Sequence, residues 1–393
     1  MALLPIAEAQ ARLLALAGRT PVEMVPLAEA VGRWAAEPIA ARRTQPENDL
    51  SAMDGYAIRF ADLPGPWIVI GESAAGKGFA GTMAPGEAVR IFTGAPMPAG
   101  ADTVLVQEEA ARDGDRLSLA GEGPAYLGRN VRRRGLDFAA GDGLIAAGER
   151  LTPALIALAA IAGHATLPVH RKVRVAIVAT GDELVAPGAA MGHAQIPESN
   201  RIMLAAQLAD LPIEIIDLGI LPDNLGALTR AFAEVQADLL ITSGGASVGD
   251  HDLVRPALEG AGARIDFWRI ALRPGKPMMA GRRGDMVVLG LPGNPVSVFV
   301  TALLFAKPLI AHRSGAADPL PVHRTAILGE PLPANGPRTD YLRAALIDGK
   351  VHASAIQDSS MLRTLARSTC LIVRLPHAPA AKTSDSVEIL DIA

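Results

Sequence analysis

Carboxylates recur in this chain where apolar runs stop. Asp182 and Glu183 follow VRVAIVATG, Asp223 follows IEIIDLGILP, and Asp250 and Asp252 close ADLLITSGGASVGDHD. Each lies just past a β-branched-rich stretch of the kind that forms a buried parallel strand. Acidic side chains gathered at the carboxyl edge of such a sheet make a hard-oxygen pocket. It would suit Mg2+ held through a few carboxylates, waters and a substrate phosphate. Lys276, between Gly275 and Pro277 with Arg273 just before, places positive charge beside it. An anion flanked by Mg2+ and by Lys or Arg is what phosphoryl or nucleotidyl chemistry requires. The run SGGASVGD (243–250) adds Ser243, Gly244, Gly245, Ser247 and Gly249. Its backbone N–H groups could cradle a phosphate, or it could be a Gly-rich turn without a ligand.

A second group of chemical residues lies far upstream. Asp54 stands before Gly55 in NDLSAMDGYAIR, and Thr93 leads FTGAPMPAGADTVLVQEE out of an apolar run. Either loop can be read as an ordinary turn, since Asp-Gly is a frequent hairpin signal. In GRNVRRRGLDF, Arg132 to Arg134 with Asp137 read as a solvated face or as a bidentate holder of phosphate or another oxyanion. Other chemistries find no support. Neither GxGxxG at the first βα unit nor GxxxxGK[ST] is present, no GxSxG elbow occurs, and the eight histidines show no zinc-site spacing.

The elements that must position these groups follow from periodicity. Residues 172–317 alternate apolar strands with helical segments, which predicts a doubly wound, mostly parallel α/β domain with ligand loops at its carboxyl edge. Residues 42–138 read as an inserted, mostly β module, with runs WIVIGES, AVRIFT, DTVLVQE and RLSLA between Gly and Pro clusters. Residues 1–41 and 139–171 read as a helical segment serving packing or a dimer surface. It would hold a first helix in IAEAQARLLALA, a shorter one after Pro21, and a third after Thr152 and Pro153 lying beside the first. Residues 318–393, cut by prolines, read as a small C-terminal β-barrel-like domain. The chain is thus expected to be a multidomain α/β protein.

Composition narrows the partners. Charge sums to 37 − 41 = −4, with no basic run beyond the three arginines, which speaks against nucleic acid or an anionic membrane. The single cysteine, Cys370, sits in an apolar run and implies neither disulfides nor a thiolate metal site, as expected of a cytoplasmic protein. No stretch reaches eighteen uninterrupted apolar residues and no signal peptide is evident.

Taken together, SAMDGYAIR, TGAPMPAGADTVLVQEE, GRNVRRRGLDF, VAIVATGDELV, SNRIMLAAQL, LPDN, ITSGGASVGDHD, IALRPGKPMMAG and GLPGNPVSV resemble the molybdopterin molybdenumtransferase family, which is related to the C-terminal domain of gephyrin. The likeness runs from about position 48 to 298. It implies a Mg2+-dependent enzyme of molybdenum cofactor biosynthesis that takes adenylylated molybdopterin and molybdate, hydrolyses the adenylate link, transfers molybdate to the dithiolene and releases AMP. It also implies a homodimer of four-domain subunits whose site lies between the α/β, molybdopterin-binding domain of one subunit and the DGYA-bearing module of the other. Partners would be other cofactor-biosynthesis proteins and molybdoenzyme chaperones.

Carried over by motif, Asp54, Thr93, Arg132, Asp137, Glu183, Asp223, Asp252, Lys276 and Ser359 become the functional positions. Glu183, Asp223 and Asp252 would handle Mg2+ or water, Lys276 and Arg273 would hold phosphate or molybdate, and residues 243–249 would cradle the pterin phosphate. Asp54 and Thr93 would reach across the dimer. Position 273 is Arg where the family usually has Lys. Two rivals stand beside this reading: an enzyme like molybdopterin adenylyltransferase or one acting on nicotinamide mononucleotide, and a gephyrin-like scaffold without activity.

Overall fold

The structure is a computed structural model that describes residues 3–244 and 253–392. Its centre is a six-stranded sheet: β1 (Val173–Thr180), β2 (Ile213–Leu221), β3 (Leu239–Ser243), β4 (Arg264–Arg269), β5 (Pro277–Arg283) and β6 (Met286–Leu291). Spatial order is β2-β1-β3-β6-β5-β4. The first four in that order run parallel, and β5 and β4 add an antiparallel edge. Period-two alternation divides the strand side chains between two faces. Val175, Ile177, Leu239, Ile241, Val287 and Leu289 pack on one face, while Ala176, Val178, Leu240, Met286 and Val288 pack on the other.

Helices cover both faces, as a doubly wound fold requires. Asn200–Leu208 and the helical run from Pro295 to Arg313 lie on the first face, and Leu225–Glu234 and Val254–Gly260 on the second. The run Pro295–Arg313 is long and apolar enough to cross a membrane, but 72% of it is buried inside the fold. Its composition is thus explained by its place in the core.

The N-terminal helix Ile6–Leu14 buries Ala9 and Leu13 in this same core, and Gln10 donates its side-chain amide to the Leu304 carbonyl at 2.9 Å. It therefore docks on the α/β domain, and not beside the helix after Thr152 as its amphipathic pattern suggests. Residues 21–41 hold a strand, Val22–Pro26, and only a four-residue helix, Leu27–Ala30. Val22, Met24 and Val25 favour extended backbone, and the strand pairs antiparallel with Thr166–His170. The third helix, Pro153–Ile161, starts where expected, with the Thr152 hydroxyl accepting from the Leu155 N–H at 3.3 Å.

The β module is a six-stranded sheet in the order Thr103–Val106, Gly55–Ile58, Glu87–Ile91, Trp67–Ser73, Arg116–Leu119, Ala110–Asp113. Gly55 sits where a Cβ would come within 2.0 Å of the Leu105 carbonyl oxygen, so this strand admits no side chain at that point. At the other end of the chain, Arg324–Leu328, Thr339–Ile347, Lys350–Ala353, Cys370–Arg374 and Ser386–Asp391 close into a five-stranded barrel. A two-residue strand, Leu272–Arg273, pairs in parallel with Thr339–Asp340 and joins the α/β domain to it.

Candidate active site

The carboxyl edge of the parallel strands opens into a cleft of about 1030 Å³. β1 ends in Thr180 and Gly181 and delivers Glu183; β2 ends at Leu221 and delivers Asp223; β3 delivers Ser243 and Gly244. The short connection between β4 and β5 brings Arg273 to Lys276, and the turn after β6 brings Pro292 to Pro295. Gly275 is required there because a Cβ would meet the Thr301 Cγ2 at 2.7 Å and its φ is +107°. The barrel closes the cleft with Arg338 and residues 357–359.

Of the expected site residues, Glu183, Asp223, Ser243, Gly244, Arg273, Lys276 and Ser359 share this cleft. Gly245, Ser247, Gly249 and Asp252 lie outside the described residues. Asp54, Thr93, Arg132 and Asp137 are in the β module and do not line the cleft of their own chain. Asp54 and Thr93 meet each other: the Asp54 carboxylate accepts from the Thr93 N–H at 2.7 Å and from its hydroxyl at 2.8 Å. Two of the three arginines are engaged locally. Arg133 pairs with Asp49 at 2.7 Å, and Arg134 donates to the Glu47 carbonyl at 3.0 Å. Arg132 is exposed like them, but its side chain has no hydrogen-bond or ion-pair partner among the described residues.

The cleft is lined by charges of both signs. Asp182, Glu183 and Asp223 make no ion pair among the described residues. Although Asp223 is exposed, partial loss of its hydration in the cleft, with the Asp182 and Glu183 charges beside it, pushes its carboxyl above its ordinary value. Asp223 is not the helix cap; that position belongs to Asn224, whose side chain accepts from the Ala227 N–H at 2.9 Å. Asp223 is thereby left to the cleft, where its N–H donates to the Asp182 carboxylate at 3.0 Å. Arg273, Lys276 and Arg338 line the same cleft. No three described His, Cys, Asp or Glu residues converge closely enough to hold a metal alone. Crowded carboxylates without a cation do fit Mg2+ bound through one or two of them, with waters and substrate phosphate completing the shell.

Several lining residues were not read from the sequence. Glu198, only 2% exposed, accepts from the Arg201 N–H at 2.7 Å and so caps the helix, whose N-cap residue Ser199 makes no side-chain cap bond. Asn200 donates to the Gly293 carbonyl at 2.7 Å, and Asn294 donates to the Ser359 hydroxyl at 3.0 Å. Ser359 also accepts at its carbonyl from the Val296 N–H at 3.1 Å, so the barrel loop is fastened to the turn after β6. Behind that loop the buried Arg343 donates to the carbonyls of Ile356 and Met361 at 3.2 and 3.1 Å. Pro292 to Pro295 was the available signal for Asn294, whereas nothing local marks Arg338 or Glu198.

Comparison with known proteins covers the whole architecture. Residues 4–163 match the family description "MoeA N-terminal region (domain I and II)", residues 176–312 "Probable molybdopterin binding domain", and residues 325–392 "MoeA C-terminal region (domain IV)". A molybdopterin molybdenumtransferase of Haemophilus influenzae is 39% identical over 367 residues, 90% of each chain. Molybdopterin molybdenumtransferase 2 of Mycobacterium tuberculosis is 37% identical over 88% of this chain and 89% of its own. The crystal structure of a molybdopterin biosynthesis moeA protein from Pyrococcus horikoshii superposes with a TM-score of 0.83 at 28% identity, covering 99% of this chain and all of that one. The likeness takes in the β module and the barrel as well as the α/β domain. The chain belongs to the molybdopterin molybdenumtransferase family.

Proposed function

We propose that this chain inserts molybdate into adenylylated molybdopterin and releases AMP, as a transferase of molybdenum cofactor biosynthesis. The observation that carries the reading is a single cleft lined by carboxylates outside any described ion pair, Glu183 and Asp223, and by Arg273, Lys276 and Arg338. A substrate with a phosphate-rich link and an incoming oxyanion needs both kinds of charge.

Glu183 and Asp223 would hold Mg2+, with Asp252 as the third carboxylate. Bound there, Mg2+ supplies neutralisation of the charge that develops on the phosphate oxygens as the adenylate leaves. Lys276 and Arg273, with Arg338, bind molybdate and orient its oxygens. The Asn294 amide occupies one Ser359 lone pair, which leaves the Ser359 proton to donate toward the same oxyanion. Ser243 and Gly244, continuing through Gly245, Ser247 and Gly249, cradle the pterin phosphate. Asp54, Thr93, Arg132 and Asp137 complete the site from a second copy of the chain in a cytoplasmic homodimer. Their absence from the cleft of their own chain supports this arrangement.

The experiment is AMP release from adenylylated molybdopterin by purified protein. Release is expected only when both Mg2+ and molybdate are present. Asp223→Ala is expected to lower it by about a thousandfold. Product formed without molybdate, or a fully active Asp223→Ala protein, contradicts the mechanism.

A further inference from the structure

The seam between the α/β domain and the barrel forms one wall of the cleft. Leu272 and Arg273 pair in parallel with Thr339 and Asp340, and the Thr339 N–H donates to the Ala271 carbonyl at 2.9 Å. This register sets Arg273 against Asp340 although 67 positions separate them, and the Arg273 Nη2 donates to the Asp340 carboxylate. The partners differ sharply in exposure: the Asp340 side chain is 5% exposed and that of Arg273 is 54% exposed. Arg338 and Arg374 also lie near Asp340, yet burial outweighs all three cations and holds its carboxyl above the ordinary range. A buried acid at this place is costly, and such a group is kept where it orients something.

A guanidinium presents five N–H donors in one rigid plane. With one nitrogen committed to a fixed, buried carboxylate, the plane of Arg273 is set by the barrel strand. Its other donors remain on the open side, in the cleft that Lys276 and Arg338 also line. A lysine at this position would be a single rotating point charge, unable to keep one donor on Asp340 and aim others in fixed directions.

We propose that Asp340 is the positioning residue for Arg273: it fixes the guanidinium toward an oxyanion in the cleft and offsets part of that wall's positive charge. The oxyanion is then oriented firmly without being bound too tightly to pass on. The proposal rests on the oxyanion reading of the cleft given above.

Titration of the purified full chain with molybdate alone, beside steady-state turnover, separates the two. Asp340→Asn keeps the shape and one acceptor but removes the charge. Its molybdate dissociation constant is expected to fall roughly tenfold. Its kcat is expected to fall roughly tenfold as Arg273 loses its fixed direction. In an Arg273→Gln background the same change should not lower kcat further. Unchanged or weaker molybdate binding in Asp340→Asn, or an equal loss of kcat in both backgrounds, would assign Asp340 to packing and overturn the proposal. Should Asp340→Asn not fold, Arg273→Lys carries the test, with molybdate affinity retained and kcat down roughly tenfold; an undiminished kcat overturns the proposal. Wild-type protein that takes up no molybdate refutes the oxyanion reading itself and takes the proposal with it.

Discussion

Carboxylates in the β module and in the cleft are prepared in opposite ways. Asp54 accepts from the Thr93 N–H and hydroxyl, and these donors hold it below the ordinary carboxylate range. Asp223 is exposed at the cleft mouth, but partial loss of its water shell and the nearby Asp182 and Glu183 charges together hold it above that range. A carboxylate satisfied by the neighbouring Thr93 loop presents a finished shape, whereas one crowded by like charges awaits a cation. The Asp54 loop is thus held in shape by its own hydrogen bonds, whereas Glu183 and Asp223 have no cationic side chain paired with them among the described residues.

Breaking either half tests this contrast. Asp54→Ala should cost roughly a hundredfold in activity while thermal stability stays put, since the bonds it loses are those to the exposed Thr93. A drop in melting temperature of similar severity would make the loop structural. Thr93→Val should be milder, about tenfold, and should let Asp54 titrate closer to its ordinary value, followed by carboxyl NMR. An Asp54 titration that does not move contradicts the hydrogen-bond account.

A control lies at the amino end of the sheet. Burial pushes the Asp238 carboxyl up, but two hydrogen bonds from Arg171 at 2.9 and 3.0 Å and one from the Arg174 N–H at 2.8 Å outweigh it and hold it low. A lowered folded value stabilises above the ordinary carboxylate pKa of about 3.9, and that contribution is lost as pH falls through the folded value. Asp238→Asn should therefore destabilise near neutral pH by about 2 kcal/mol and flatten the acid limb of the stability curve. Turnover of the folded protein should be unchanged. Stability that still falls steeply in acid would locate the sensitive group elsewhere.

How much was legible follows from what sequence periodicity encodes. The strands β1, β3 and β6 were plain because unbroken β-branched runs end abruptly in Gly and small residues. The Thr152 cap was plain because Thr before Pro is a local signal. Pattern also showed that Ile6–Leu14 has a buried face, but not that the face would meet Leu304 across the chain. Asp340 was invisible for the same reason: its meaning comes from pairing with Arg273, and strand pairing between remote segments leaves no local trace. Clustering of Glu183 and Asp223 was foreseen because both follow strands of one parallel sheet, whose ends must converge. Asp54 and Thr93 were tied to the cleft only through family likeness, and the single chain keeps them apart.

In the composite site proposed above, the module of one chain completes the cleft of another, and co-expression of two inactive variants tests this. Asp223→Ala disables the cleft and Asp54→Ala the module. Random pairing makes half the dimers mixed, each with one intact composite site, so the mixture should recover about a quarter of wild-type AMP release. No recovery beyond the sum of the two separate variants would contradict a site shared between subunits.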